Sequence, residues 1–429
     1  MRLSCRVAGV AALATACLAA WAAPAGAGTG QGTSGRPGKP DKPYTVRLTQ
    51  GANGNDSSLE GAISTNGRHV VFESSATNVV PGDTNGVQDV FVRDLRTGRT
   101  QRVNLTADGE QAAMEAGSAA ISATGRYVVF HSKSPDLIPG QEPGRYGSFY
   151  LRDLKTGRLS HVGGALDDHL VLSYGASVSA NGRYVVWSAY SRGLGGSQEA
   201  SVVKDMKTGR IQRLPADRNS SEPYVSDDGN TVVYTDRPSA YRPFPDSKVY
   251  VWYRKTGVRQ RLDETPDGTP ADGKSYAARI SADGRYAVFH STAGNLVPGD
   301  PNNGTTEAAA MNVFVRDLRT GELRRIDAPE RHDGTTTGAQ LSGDHRYLLF
   351  SGQRAATEAV TTGVYLTDLR TGRTRTLNVD LAGTPVASFS VGDGALDAHG
   401  RTVVFESTAE NMAPGPRGAW YDLYARRLR

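Results

Sequence analysis

Cysteine is almost missing from this 429-residue sequence, and both copies, Cys5 and Cys17, sit close to its start. Everything beyond them is therefore without disulfides and without thiol chemistry. Charge of one sign is also scarce. The formal net charge is +5, and residues 1–43 carry most of it, with Arg2, Arg6, Arg36, Lys39 and Lys42 against Asp41. The remainder is near neutral, which excludes the basic footprint of a nucleic-acid binder. After the N-terminus no apolar run reaches membrane-spanning length, so no membrane span is expected. Sequence signatures of chemistry are missing too: there is no GxSxG elbow, no HExxH helix and no Gly-rich phosphate loop. No catalytic residue, metal or other cofactor is expected on that basis.

What is present begins with an export leader. Arg2 and Arg6 precede the apolar run "VAGVAALATACLAAW" and the small residues "AAPAGAG". That order reads as a signal peptide over residues 1–27, cut between Ala22 and Gly28. Leu13 stands one position too far from Cys17 for the usual lipoprotein pattern, so a freely secreted form is expected over a lipidated one. Residues 28–43, "GTGQGTSGRPGKPDKP", carry Gly, Pro and scattered charge with no apolar period, and read as a flexible linker.

From residue 44 to 429 the chain repeats itself. Copies of one pattern begin at Ile63 ("ISTNGRHVVFES"), Ile121, Val178, Val225, Ile280, Leu341 and Leu396, at steps of 47 to 61 residues. In each copy a short apolar stub meets a Gly- or Asn-containing turn and then a run such as "RYVVF", which is a hairpin. A variable loop leads to "DVFVRDL" or a relative of it, a "TG" turn and a last short strand, which is a second hairpin. Tyr127 and Val129 point to one side of their strand, Val128 and Phe130 to the other, so both faces must be covered. Four-stranded units of this kind, stacked around an axis, predict an all-β fold: a seven-bladed β-propeller of four-stranded antiparallel blades. The last copy, ending "YDLYARRLR", lacks a fourth strand, and "YTVRLTQ" at residues 44–50 is a strand without a blade. The N-terminal strand is expected to complete the last blade, removing an open edge.

The recurring "ISADGRYAVFHS…NLVPGD…NVFVRDLRTG" resembles the WD-like propeller repeats of TolB, the periplasmic propeller of the Tol envelope system, and of exported TolB-like bacterial proteins. The resemblance covers about residues 44–429. It implies an envelope or extracellular propeller; it does not specify an activity, because propellers host binders and enzymes alike.

Candidate sites follow from the repeat. One strand position holds Glu73, His131, Ser188, Thr235, His290, Ser351 and Glu406, either an acid/base or metal cluster or a set of side chains bonding neighbouring blades. Asp83, Asn85 and Asp89 in "GDTNGVQD" have a spacing reminiscent of short calcium loops, echoed loosely by Asp300, Asn302 and Asn312; the plainer reading is a polar turn. Asp94, Asp153, Asp205, Asp317 and Asp368 recur too regularly for one active site and are expected to bond the amides of the following turn. Recognition is expected in the irregular loops, with Tyr146, Tyr241, Arg242 and Phe244 as contacts. The expected molecule is a monomeric, non-catalytic scaffold for a protein, peptide or glycan. The alternative is a propeller hydrolase or lyase using His131, Glu73 or His290.

Overall fold

The computed structural model describes residues 43–49, 58–164, 170–193, 196–217, 219–238, 246–300, 311–327, 336–355, 360–386, 394–409, 411–414 and 421–428. Seven four-stranded antiparallel sheets form a ring. With strands lettered A to D in sheet order, blade 1 is Ser58–Ile63, His69–Ser74, Asp89–Asp94 and Thr100–Arg102. Blade 2 is Ala116–Ile121, Tyr127–Ser132, Ser148–Asp153 and Leu159–Gly163. Blade 3 is Leu170–Val178, Tyr184–Gly193, Gly196–Asp205 and Ile211–Arg213, and blade 4 is Asn219–Val225, Thr231–Arg237, Lys248–Tyr253 and Val258–Arg261. Blade 5 is Ser275–Ile280, Tyr286–Ser291, Asn312–Asp317 and Leu323–Ile326, and blade 6 is Thr336–Leu341, Tyr347–Ala355, Val360–Asp368 and Arg373–Thr376.

Blade 7 takes Ala395–Leu396, Thr402–Ser407 and Asp422–Arg427 from the end of the chain, and its strand D is Tyr44–Arg47. Val46 pairs with Ala425, and the buried Arg47 Nε lies 3.1 Å from the buried Asp422 carboxylate. The predicted closure by the N-terminal strand is the one observed. The A strands touch their counterparts in the flanking blades and line the axis.

Seven apolar clusters hold the ring, one at each blade–blade interface. The two-faced strand explains why. In blade 2, Val128 and Phe130 pack toward blade 1 while Val129 packs toward blade 3, and all three are fully buried. Each such side chain contributes about 1.5–3 kcal/mol. Cross-strand ring pairs such as Phe72–Phe91, centroids 5.6 Å apart, repeat in most blades and stiffen the B–C ladder.

The "GRY" of the repeat also has a packing reason. In blades 2, 3, 4 and 7 the glycine of the A–B turn lies under the ring that opens strand B of the preceding blade. A Cβ on Gly182 would stand 2.6 Å from the Tyr127 ring, and one on Gly229 1.8 Å from the Tyr184 ring. Arg126 and Arg183 lie over the rings of Tyr127 and Tyr184 at 4.9 and 5.0 Å. In blade 6 the glycine is replaced by His345, at φ +58, whose ring meets Tyr286 at 4.8 Å. The serine that opens the turn in blades 1–6 completes it: Ser64 Oγ accepts the His69 amide at 3.0 Å and donates to Asn66 Oδ1 at 2.7 Å.

Candidate functional site

The strand-B position with Glu73 and its equivalents does not gather into one cluster. It serves the blade joints. Every A strand of blades 1–6 carries a β-bulge, with Ser118, Gly175, Glu222, Ala277 and Gly338 at left-handed φ. A bulge leaves amides that the ladder cannot use, and in blades 2, 5 and 6 the preceding blade supplies the acceptor. Glu73 Oε1 accepts the Ala119 amide of blade 2 at 2.9 Å, and its Oε2 accepts Gln88 Nε2 at 2.9 Å. His290 is fixed in the same way. Its Nε2 accepts the Ala339 amide of blade 6 at 3.4 Å, so Nδ1 carries the proton and donates to Thr336 Oγ1 at 2.9 Å. Thr336 passes its own proton on to the Met311 carbonyl at 2.7 Å.

Thr235, in blade 4, donates instead to Glu222 Oε2 at 3.3 Å, and that same oxygen accepts the Ala277 amide of blade 5 at 3.2 Å. A glutamate from the bulge thus does in blade 4 what Glu73 does from strand B. Ser188 pairs with Ser201 at 3.1 Å, and Glu406 is buried.

His131 stands apart. Its ring packs edge-on against Phe149, centroids 5.3 Å apart, and Nε2 has no hydrogen-bond partner. Burial first, and the Lys133 charge second, push it down to about 4, with the Tyr146 carbonyl pulling the other way. The fold therefore brings two of the sequence candidates, His131 and Tyr146, to one place. Tyr146 is half-buried on the B–C loop of blade 2, with the Arg145 guanidinium 5.5 Å from its ring. Tyr241, Arg242, Phe244 and Asn302 lie outside the described residues.

Asp83 and Asp89 do converge, and the cation between them is Arg102 from strand D of the same blade. Its Nη2 is 2.9 Å from Asp83 Oδ2 and its Nε 2.9 Å from Asp89 Oδ2, all three side chains being buried. The contacts are ion pairs whose N–H groups do not aim squarely at the oxygens. Burial raises the Asp89 carboxyl above its usual range, while an Asn104 hydrogen bond of 2.6 Å and the Arg102 charge pull it back. Asn85 donates to the Ala112 carbonyl at 2.9 Å. In blade 5, Arg325 reaches Asp300 in the same manner at 2.6 Å. The loop that resembles a calcium site is an arginine site, and the signal in the sequence is an arginine in strand D facing the acid.

The "RDL" carboxylates bond the turn amides as expected: Asp94 Oδ1 accepts the Arg96 amide at 2.8 Å, and Asp153, Asp205, Asp317 and Asp368 do likewise. Each also pairs with the arginine of its own A–B turn, at 2.6 Å for Arg68–Asp94. That arginine holds Asp94 well below the carboxylate range and lowers Asp317 to about 2. The arginine before the aspartate has a separate role that sequence reasoning missed. Arg152 crosses to blade 1, where Nε donates to the Val103 carbonyl at 3.1 Å and Nη2 to Leu105. Burial lowers its guanidinium to about 10. Arg93 and Lys204 reach the preceding blade in the same way, to Leu48 and Val162.

The two ends of the ring differ. The A–B turns are short and link neighbour to neighbour all the way round, through Asn66–Thr124, Thr124–Ala180, Ala180–Asp227, Asp227–Ala282, His345–Asp283, Asp344–Ala398 and Ala398–Thr65. The opposite end carries the B–C and D–A connections, which vary in length and chemistry. Three D–A connections share a small hairpin closed by the bridges Leu105–Gln111, Glu264–Pro270 and Val379–Pro385. Among the described residues no group of three or more His, Cys, Asp or Glu is placed to hold a metal ion.

These features define a closed β-propeller with one uniform end and one variable end. No family model and no curated protein matches the chain. Solved structures do. Oligogalacturonate lyase from Vibrio parahaemolyticus superposes with a TM-score of 0.58 at 12% identity, over 89% of this chain and 93% of its own. The β-propeller domain of the Trilobed protease from Pyrococcus furiosus, described as having an open velcro topology, gives 0.53 at 13% identity, over 86% and 95%. TolB from Acinetobacter baumannii is also a neighbour, at 0.41 and 14% identity, over 86% and 79%. At such identities the likeness to the lyase and the protease domain establishes the propeller fold alone.

Proposed function

We propose that the protein is an exported, non-catalytic binding propeller whose ligand, an envelope or extracellular protein, peptide or glycan, docks on the end formed by the B–C and D–A loops. The observation that carries this reading is the asymmetry of the ring. One end is uniform and bonded turn to turn, whereas the other is irregular and differs from blade to blade, as recognition loops on a rigid scaffold do. The polar strand-B residues support it, because Glu73 and His290 are engaged by neighbouring backbone and are not offered to a substrate. In this reading residues 1–27 direct export, residues 28–43 are a spacer, and the mature chain acts as a monomer.

A second reading rests on His131, a neutral imidazole with a free Nε2 beside a loop of the variable end. It would make the protein a propeller hydrolase or lyase. Peptide and glycan arrays probed with the wild type and with Tyr146→Ala, Tyr241→Ala, Arg242→Ala and Phe244→Ala separate the two. The binding reading expects a retained ligand whose capture falls at least fivefold in one or more variants, the scale of a contact residue. Undiminished capture by all four moves the ligand off this face, and turnover of a glycoside, ester or peptide abolished by His131→Ala replaces the scaffold with an enzyme.

A further inference from the structure

Register within the sheets equates one position of strand C, and one of strand D, from blade to blade. The strand-C position holds Arg93, Arg152, Lys204, Arg316 or Arg426, and the first four cross over to backbone carbonyls of the preceding blade. The equivalent strand-D position of the blade preceding such a cation is otherwise neutral: Val46, Gln101, Ser160 or Gln260. Where strand D supplies Arg324, the next blade offers Thr367. Blades 6 and 7 break this pattern with Arg375 and Arg426, whose charges lie close enough to repel. Arg426 is turned aside to Thr45, donating to its Oγ1 at 2.8 Å. Burial first, and the Arg375 charge second, hold its guanidinium below the ordinary value.

Beside this pair lies a cavity of about 360 Å³ that opens at the A–B turn end and is lined by Arg346, Tyr347, Arg375, His399 and Arg401, with one acid, Asp344, in its wall. The acids nearby are already engaged. Asp368 is held by Arg346 at 2.7 Å. Asp344 accepts from Ser342 at 2.6 Å and meets His399 at 3.3 Å. Arg375 and Arg401 are exposed to the cavity, and neither forms an ion pair among the described residues. Two guanidinium groups with no carboxylate in direct contact, and a third nearby, are an arrangement that a doubly charged tetrahedral anion offsets, since each planar fork can donate two hydrogen bonds to one such group.

We propose that the groove between blades 6 and 7 is a binding site for a phosphate- or sulfate-type dianion, with Arg375 and Arg401 as its principal ligands. The cavity exceeds a bare oxyanion, so the group arrives free or as the ester of a larger molecule. The site is independent of the loop end assigned to recognition above. In the equivalent groove between blades 5 and 6 the lining sets Glu322 beside Arg324, together with the engaged Asp317, and offers the same ligand no comparable pair of cations.

Titration calorimetry on the purified full chain at fixed ionic strength tests this, with inorganic phosphate, inorganic sulfate, glucose 6-phosphate and acetate as probes. Saturable one-to-one binding of phosphate or sulfate is expected, weakened roughly tenfold or more by Arg375→Gln or Arg401→Gln and unchanged by Arg324→Gln. Tighter binding of glucose 6-phosphate assigns the site to an ester, and equal binding to the free ion. Without added anion, Arg375→Gln raises the melting temperature by relieving the repulsion with Arg426, and phosphate raises that of the wild type but not of the variant. Absence of saturable binding by every dianion, binding indifferent to both substitutions, or acetate binding as tightly as phosphate overturns the proposal.

Discussion

Some single residues in this propeller take their properties from where neighbouring blades meet. Asp227 shows this at the narrow end of the ring. Its turn position is otherwise Thr65, Ala123, Ala180, Ala282, Gly343 or Ala398, small residues because the turns converge there. A Cβ on Gly343 would already stand 3.1 Å from both Ala398 and Thr65. Burial, with the Asp228 and Asp283 charges behind it, raises the Asp227 carboxyl to about 6. Its folded-state value thus lies above the unfolded one of about 3.9, so protonation favours the fold. That contribution is complete below about pH 4 and is lost as the pH rises through 6. Two units correspond to about 3 kcal/mol, which partial solvent access reduces to about 1 kcal/mol. Asp227→Ala should therefore melt higher than the wild type at pH 7.5, with the gap closing at pH 4. Equal gaps at both values would place the carboxyl in water.

At the scale of the element, the A–B turn is the unit that one blade lends to another. Its left-handed glycine suits two demands at once, a positive φ and a surface flat enough for an aromatic ring. Two glycines separate these demands. Gly229 and Gly209 have φ of +71 and +75, yet a Cβ on Gly229 strikes the Tyr184 ring and one on Gly209 meets nothing within 4 Å. Gly209→Ala should cost about 1 kcal/mol, the backbone term alone. Gly229→Ala should cost that and the displacement of a buried tyrosine, roughly 3 kcal/mol in all. Melting curves of the two variants give the comparison directly. Equal losses would mean that the ring does not rest on the turn.

The whole molecule depends on closure, since no blade covers both of its own faces. Strand Tyr44–Arg47 joins the chain ends through its ladder to Asp422–Arg427, through Arg47–Asp422, and through Thr49 Oγ1, which donates to Asp422 at 3.0 Å. Deleting residues 44–50 should uncover the outer edge of blade 7, leave Asp422 buried without its cation, and lower the melting temperature steeply. Coincident melts of the deleted and intact mature proteins would show that the ring holds without its clasp.

Much of this architecture is written in the sequence because it is periodic. The hairpins, the two-faced "RYVVF" strand, the missing fourth strand of the last blade and the turn-bonding aspartates are local patterns repeated often enough to read. The sites are another matter. Arg102 closes the apparent calcium loop of Asp83 and Asp89 from strand D, and only the pairing of that strand brings it there. Glu222 takes over from Thr235 at a joint where the repeat alone shows a short hydroxyl. Arg375 and Arg426 are ordinary members of their strands until adjacent blades bring their charges together. In each case a residue's role is decided by a partner distant in sequence, across packing between or within blades, and chain-local patterns carry no record of which partner that is.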